Sequence, residues 1–342
     1  MTANTTTNMT DIHTHECIQR HPANPVLHAD MVPYHATLTF NAGVCKFQGK
    51  YVMIFRNDYG DASAKRLDGC NLGLATSDDG IQWNVADKPI NAKADHPLHT
   101  AYDPRLTVVD GRLYLCFAIG IVIDGHEQNH GTCGGVAVTD DLENWEVLSV
   151  SVPDNRNMVI FPERIDGKLV RLERPFAGYL RPGDHFDTWI SFSPDGKYWG
   201  ESQLLLSTED QSWINNKNGP AAPPVRTDRG WLTLFHGVDI DPTRKGWGWE
   251  GDWTKRYSAG LMLLDLKDPR KIIGIAPKPV LVPQEPFDYE TKGYRDYVIF
   301  PGGMILEDDG QVKIYYGAAD TVECLATAHV NDLLDLCLPP TA

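Results

Sequence analysis

The sequence predicts an all-β protein with the fold of a five-bladed β-propeller, and two repeating patterns lead to this prediction. Five times, a short apolar run reaches a glycine turn and a second apolar run follows; the turn glycines are Gly49, Gly111, Gly167, Gly230 and Gly310. After the first three comes a D-x-x-x-W unit, whose tryptophan lies 34, 34 and 32 residues beyond the glycine. Repeats of this length that carry several short strands are typical of propeller blades.

The two runs that flank each glycine are predicted to pair as an antiparallel hairpin, and a third run adds the next strand of the blade. The third strands are expected at 72–76, 135–139, 189–193, 260–264 and 324–328. Segments 51–55 and 113–117 are apolar at nearly every position. Strands of this kind belong in sheets that are covered on both faces, as blades are when they stack on one another.

The D-x-x-x-W units are predicted to form turns at the blade edges rather than to take part in catalysis. We expect each aspartate to bind the amides of its turn and each tryptophan to cover the next blade. The units are Asp79–Trp83, Asp141–Trp145 and Asp195–Trp199.

Two segments fall outside the repeats. Residues 1–25 are mostly polar and are expected to form an N-terminal extension that is loose or packs on a neighbouring subunit, which leaves 26–342 as the propeller and catalytic domain. The longest irregular insertion, 241–258, carries Trp247, Trp249 and Trp253 among charged residues. A sugar-stacking lip, a subunit contact and a loop folded on its own aromatic side chains are all compatible with this composition.

Composition limits the classes of partner. A formal net charge of −15 argues against nucleic acid or an anionic membrane as the main partner. The seven cysteines form no C-x-x-C pair and are expected to be reduced thiols. We find neither an apolar leader at the N-terminus nor a run of 18 apolar residues. The expected location is therefore cytoplasmic, and a homo-oligomer remains open.

Polar residues at the ends of apolar strand runs are the candidates for chemistry. A charged group there is unfavourable unless it is paired or lines a wet cavity, and such residues recur in all five repeats. In chain order they are Asn41, Arg56, Asp103, Arg156, Arg174, Lys217, His236 and Asp320.

This set is rich in cations and poor in carboxylates. Arg156, Arg174, Lys217 and His236 suit an oxyanion such as phosphate, which arginine binds in bidentate geometry. No glycine-rich phosphate loop is present, so side chains would hold the anion. Asp103 lies on a turn fixed by Pro104 and is the leading candidate for a general acid.

Longer segments resemble a known family. They are NAGVCKFQGKYVMIFR, YDPRLT, RNMVIFPERIDGKLVRLERP, the K-N-G…PP-x-x-T-x-x-GWL…HGV segment and YYGAAD. Together they resemble glycoside hydrolase family 130, which contains mannoside phosphorylases and related β-mannosidases with five-bladed propeller folds. The resemblance runs from about Asn24 to the C-terminus.

The resemblance implies a role for each candidate residue. Asp103 would be the general acid, Arg156, Arg174, Lys217 and His236 would bind phosphate, and Asn41, Arg56 and Asp320 would hold the mannosyl unit. The implied activity is an inverting, glycosyltransferase-type phosphorolysis of a β-mannoside that yields α-mannose 1-phosphate. Phosphate is then a co-substrate and no cofactor is expected. A β-mannosidase and a non-catalytic glycan-binding propeller are the alternatives, and β-1,4 and β-1,2 linkages and the acceptor sugar stay open.

Three histidine patterns have metal-ligand spacing but poor context, and no metal site is expected. Asp11, His13 and His15 form a D-x-H-x-H pattern, yet no strand precedes them and no βαβ pattern follows. The pairs His96–His99 and His126–His130 lie in polar loops that offer no third ligand.

Overall fold

The computed structural model describes residues 12–90, 96–122, 130–176 and 185–339 of the chain. These residues form five antiparallel sheets of four or five strands each. The sheets are the blades of a five-bladed β-propeller, so the predicted fold class is confirmed.

The strands are numbered β1–β23 in chain order, and consecutive strands run from the centre of each blade to its edge. Blade one comprises β2 (Leu38–Phe47), β3 (Lys50–Asp61), β4 (Arg66–Ser77) and β5 (Asn84–Val85). Blade two comprises β6 (Tyr102–Val109), β7 (Arg112–Val122), β8 (His130–Thr139) and β9 (Glu146–Val150). Blade three comprises β10 (Asn155–Ile160), β11 (Leu169–Pro175), β12 (Thr188–Ser193) and β13 (Gly200–Leu206). Blade four comprises β14 (Lys217–Pro220), β15 (Val225–Arg226), β16 (Trp231–Ile240), β19 (Lys255–Leu264) and β20 (Ile272–Ile275). Blade five comprises β21 (Ile299–Leu306), β22 (Gln311–Ala318), β23 (Val322–His329) and, at its edge, β1 (Gln19–Arg20).

Few elements lie outside the blades. A small hairpin of β17 (Gly246–Gly248) and β18 (Gly251–Trp253) is inserted in blade four. The helices are α1 (Asp288–Thr291), α2 (Val330–Leu336) and three 3₁₀ turns at Ala29–Met31, Pro97–Thr100 and Thr208–Asp210. None of the helices in the described part of the chain has the length and apolarity that a bilayer crossing requires.

The glycine turns form the hairpins that the sequence predicts. In the turn of blade one, Gln48 has a φ of 50° and Gly49 a φ of 79°. In the turn of blade two, Asp110 has a φ of 52° and Gly111 a φ of 78°. Two positive φ values define the type I′ turn, whose twist matches that of the flanking strands. The predicted pairing of β2 with β3 and of β6 with β7 is confirmed.

The apolar core is divided among the blade interfaces. One cluster of buried residues lies between each pair of neighbouring blades, which explains why strands such as β3 and β7 are apolar on both faces. Pairs that represent the interfaces are Phe55 with Tyr315, Ile54 with Phe117, Val136 with Met158, Phe161 with Trp231, and Leu261 with Ile314.

The D-x-x-x-W units form the predicted turns, but their tryptophans face the opposite way. Asp79 Oδ1 accepts hydrogen bonds from the amides of Ile81 (2.8 Å) and Gln82 (2.9 Å), and the other two units repeat this pattern. Trp83 packs edge-on against Tyr315 of blade five at 5.9 Å. The expectation that each tryptophan covers the next blade is wrong: each packs into the cluster shared with the preceding blade.

The start of the described chain closes the ring. Strand β1 pairs with β23, with Arg20 opposite Ala326. The Arg20 guanidinium binds buried Glu290 at 2.6 Å. Residues 12–25 thus pack on the propeller itself rather than standing loose from it, because a backbone pair and a buried ion pair compensate for the polar composition of this segment.

Candidate active site

Backbone bulges in the innermost strands position three polar side chains. The pairing register shifts at Asn41 in β2, Asp103 in β6 and Asn157 in β10. The φ values of these residues are 52°, 50° and 57°, in the left-handed region that asparagine and aspartate tolerate better than most residues. A bulge re-aims the side chain it carries, and all three side chains line one central cavity.

This cavity lies where the blades meet and has a volume of about 100 Å³. Six of the eight sequence-predicted residues line it: Asn41, Arg56, Asp103, Arg156, Arg174 and Asp320. The sequence reasoning missed the other lining residues, which are Tyr102, Asn157, Tyr257, Arg295, Val298 and Phe300.

Asp103 is held by two donors. Its Oδ1 accepts hydrogen bonds from Asn41 Nδ2 (2.9 Å) and Arg56 Nη1 (3.3 Å). Burial alone would raise the pKa of Asp103. The charges of Arg56 and Arg105, the Asn41 hydrogen bond and the charge of Arg156 outweigh burial and hold this pKa below its ordinary value of 3.8. Asp103 is therefore ionised at neutral pH in the ligand-free protein.

Arg56 is fixed in place by a buried partner. Its Nε and Nη2 atoms bind the two oxygens of Asp58, each at 2.7 Å, in a bidentate pair. Its guanidinium lies 4.7 Å from the ring centroid of Phe40 and 5.1 Å from that of Tyr102. One nitrogen, Nη1, is left to face Asp103.

Asp320 is the second carboxyl of the cavity, and its pKa shifts in the opposite direction. Burial raises the pKa of Asp320 above 3.8, although the nearby charges of Arg295 and Arg56 lower it. Its Oδ2 accepts a hydrogen bond from Arg295 Nη1 at 3.0 Å. Asp320 thus already has a cationic partner.

Arg156 and Arg174 carry unused donors. The Nε atoms of both residues are buried and have no hydrogen-bond partner among the described residues. Burial and the charge of Arg156 lower the pKa of Arg174 to about 9. Two neighbouring guanidinium groups with unpaired donors form a site that a bound anion would stabilise.

His236 and Lys217 lie behind these arginines rather than on the cavity wall. His236 is fully buried and its Nδ1 donates to the carbonyl oxygen of Pro220 at 3.2 Å. Its Nε2 therefore accepts a hydrogen bond from Arg174 Nη1 at 2.8 Å. Burial and nearby cations lower the pKa of both His236 and Lys217 well below the usual values. The Lys217 ammonium lies 5.2 Å from the ring centroid of Tyr257.

One regular spacing in the sequence marks inner-strand bulges in three blades, but it does not lead to the lining residues that were missed. The bulge residues of blades one and two precede their turn glycines by eight residues, and the same step back from Gly310 reaches Gly302 at the bulge of β21. Asn157, next to Arg156 at the bulge of blade three, lies ten residues before Gly167 and falls outside this spacing. Arg295 lies outside the blade strands, and no repeat predicts it.

Where the structure describes them, the histidines of the three patterns take part in no metal site. His13, His15, His96 and His99 are described, whereas Asp11 and His126 lie outside the described residues and nothing is described of the His130 side chain. Across the ranges that the structure describes, no group of three histidine, cysteine, aspartate or glutamate side chains could hold a metal ion.

Comparisons with known proteins point to one family. The sequence model of glycoside hydrolase family 130, described as beta-1,4-mannooligosaccharide phosphorylase, matches residues 11–338. A beta-1,4-mannooligosaccharide phosphorylase from Ruminococcus albus is 31% identical to this chain, and the match covers 94% of this chain and 90% of the relative's length. A 1,2-beta-oligomannan phosphorylase from Thermoanaerobacter is 30% identical over 86% of this chain and 90% of its own.

Solved structures agree. The beta-1,2-mannobiose phosphorylase from Listeria innocua, in complex with beta-1,2-mannobiose, has a TM-score of 0.75 and 25% identity, with coverage of 93% of this chain and 98% of its own. The chain belongs to glycoside hydrolase family 130.

Proposed function

We propose that this protein is an inverting phosphorylase that cleaves β-mannosides with inorganic phosphate and releases α-mannose 1-phosphate. The observation that carries the proposal is one cavity that combines an acid candidate, Asp103, with the unpaired donors of Arg156 and Arg174. The names of the relatives support the reaction and its substrate class. The transferred group is a mannosyl unit, and the family is one of glycoside hydrolases.

The reaction needs a single carboxyl group. A phosphate oxygen attacks the anomeric carbon, the bond from this carbon to the leaving oxygen breaks, and Asp103 gives that oxygen a proton directly or through a substrate hydroxyl. Phosphate is already an anionic nucleophile and needs no general base. An inverting hydrolase needs a second carboxylate to activate water, and Asp320 is tied to Arg295 instead.

Phosphate binding prepares the acid. In the ligand-free protein the arginines keep Asp103 ionised, so it has no proton to give. A phosphate bound at Arg156 and Arg174 offsets part of this positive charge and thereby raises the pKa of Asp103. By linkage, protonation of Asp103 also strengthens phosphate binding. The bound nucleophile thus favours the protonated form of the acid.

The remaining candidates act around these two groups. His236 is proposed to orient Arg174 through its neutral Nε2. Lys217 is proposed to add positive charge from behind the wall once a bound phosphate offsets the nearby cations that lower its pKa. Asn41, Arg56 and Asp320 are proposed to hold the mannosyl unit, because all three line the same cavity as Asp103. Their amide, guanidinium and carboxyl groups are suited to the hydroxyls of a hexose.

The test is release of mannose 1-phosphate from β-1,2- and β-1,4-linked mannobiose, with and without phosphate. Sugar phosphate that forms only with phosphate supports the proposal, and the better substrate identifies the linkage. Free mannose released at the same rate without phosphate would make the protein a β-mannosidase. If neither product forms although the mannoside binds, the protein is a glycan-binding propeller.

A reducing compartment and self-association complete the proposal. All seven cysteines are free thiols, which supports a cytoplasmic location. Light scattering of the purified protein tests the second point.

A further inference from the structure

Only one of the three tryptophans in the insertion of blade four is displayed to solvent. Trp249 packs edge-on against Tyr294, with ring centroids 5.3 Å apart, and Trp253 stacks on Tyr257 at 6.2 Å. Trp247 keeps 51% of its surface exposed. A large aromatic side chain left this open needs a reason, because burying it elsewhere would stabilise the fold.

The backbone that carries Trp247 is fixed. Its amide donates to Asp296 Oδ2 at 2.8 Å, and the Asp296 amide donates back to the Trp247 carbonyl oxygen at 2.9 Å. The Trp249 amide donates to the Tyr294 carbonyl oxygen at 3.0 Å. The indole is thus presented on a pre-organised hairpin, which lowers the entropy that binding a ligand would cost.

The hairpin also reaches from blade four toward blade one. Lys65, in the loop between β3 and β4 of blade one, places its ammonium 5.6 Å from the ring centroid of Trp247. Blade five lies between blades four and one in the ring, so the hairpin passes over the segment that leads into blade five. A bridge between Gly248 and Arg295 fixes this crossing.

Arg295 joins this wall to the cavity. It lines the cavity and donates to Asp320 at 3.0 Å and to Glu250, at the tip of the hairpin, at 2.6 Å. Arg295 thus connects Asp320 in the cavity to Glu250 on the hairpin that carries Trp247.

We propose that Trp247 is a stacking platform for a pyranose ring of the leaving group, beyond the scissile bond. The flat indole takes the C–H face of the sugar, and Lys65 and Glu250 offer hydrogen-bond partners to its hydroxyls. The enzyme would then select mannosides by the identity of the sugar that the cleaved mannosyl unit is attached to. This inference rests on the proposed function.

The decisive variant is Trp247→Ala, whose exposed position leaves the core intact. We expect kcat/KM for the better mannobiose and its trisaccharide to fall roughly three- to tenfold, the range that an aromatic contact provides. In the synthetic direction, KM for the acceptor sugar should rise by a similar factor. KM for phosphate should not change, because the phosphate site lies at Arg156 and Arg174.

Tyr198→Ala is the matched control, because it removes another exposed aromatic side chain, 76% exposed, from a turn at the edge of blade three. Equal kinetics of Trp247→Ala and wild type would overturn the inference. A change in molecular mass by light scattering, with KM for phosphate and sugar shifted together, would also overturn it by making Trp247 a subunit contact. If wild type performs no phosphorolysis at all, the proposed function fails first.

Discussion

Glu323 gives the protein a stability that depends on pH in a direction unusual for a carboxyl group. It lies in β23 and is fully buried; its Oε2 accepts a hydrogen bond from the Ala42 amide at 3.0 Å, and its buried Oε1 has no hydrogen-bond partner among the described residues. Burial raises the pKa of Glu323 from 4.5 to about 8, against the Ala42 hydrogen bond and the charge of Arg105. At neutral pH the folded protein keeps this carboxyl protonated.

The difference in proton binding between the folded and unfolded states sets the size of this pH effect on the free energy of unfolding. Above pH 4.5 the unfolded chain loses this proton, whereas the folded protein keeps it up to about pH 8. Because the unfolded state binds fewer protons, the free energy of unfolding falls as pH rises through this window and levels off above it. The slope is ~1.4 kcal/mol per pH unit, and the whole effect is at most ~5 kcal/mol.

The substitution Glu323→Gln keeps the shape and an acceptor for the Ala42 amide but removes the titration. We expect the variant to match wild type near pH 4.5 and to be more stable than wild type by several kcal/mol at pH 9. Urea unfolding of both proteins at each pH from 5 to 9 measures this difference. Parallel stability profiles would refute the reasoning. Glu307→Gln is the control of opposite sign: hydrogen bonds from Lys46, Tyr51 and Lys313 outweigh burial and lower the pKa of Glu307, so this variant should lose stability above pH 4.5.

Three further substitutions test the candidate site. Asp103→Asn keeps an acceptor for Asn41 and removes the proton donor, so kcat should fall ~10²–10⁴-fold with unchanged circular dichroism; near-normal turnover would exclude the acid role. Arg174→Gln removes charged hydrogen bonds of ~1.5–3 kcal/mol, so KM for phosphate should rise at least tenfold while KM for the mannoside stays nearly constant; an equal rise in both would make Arg174 structural. Asp58→Asn releases Arg56 from its bidentate pair, so kcat/KM for the mannoside should fall about tenfold without a change in KM for phosphate; a matching loss in phosphate affinity would contradict this positioning role.

Local chemistry explains how much of the fold the sequence could predict. The hairpins depend on turn residues such as Gly49 and Gly111 and on apolar runs beside them, all within about fifteen residues of chain. Polar residues at strand ends are stable only when they are paired or line a wet cavity. Six of the eight candidates line the central cavity.

The features that the sequence could not predict depend on contacts between distant segments. Strand β1 pairs with a strand about 300 residues later, and no local pattern marks it. Trp83 packs against Tyr315, a residue of blade five that lies far along the chain. Arg295 reaches the cavity from the segment between blades four and five, and Tyr257 reaches it from strand β19, so both depend on how the assembled ring places these segments.

The left-handed backbone conformation at the centre of the propeller restricts which residue types can line the cavity from the inner bulges. The bulge positions hold Asn41, Asp103 and Asn157, and Asp320 shares their backbone conformation with a φ of 49°. None of the positive-φ residues other than glycine in the described ranges is β-branched. An asparagine and an aspartate fit such a position about equally well, so exchanging one for the other adds or removes a carboxylate without new backbone strain. Since inverting hydrolysis needs a second carboxylate, a single amide-to-acid change at Asn41 or Asn157 would add one to the cavity without new backbone strain.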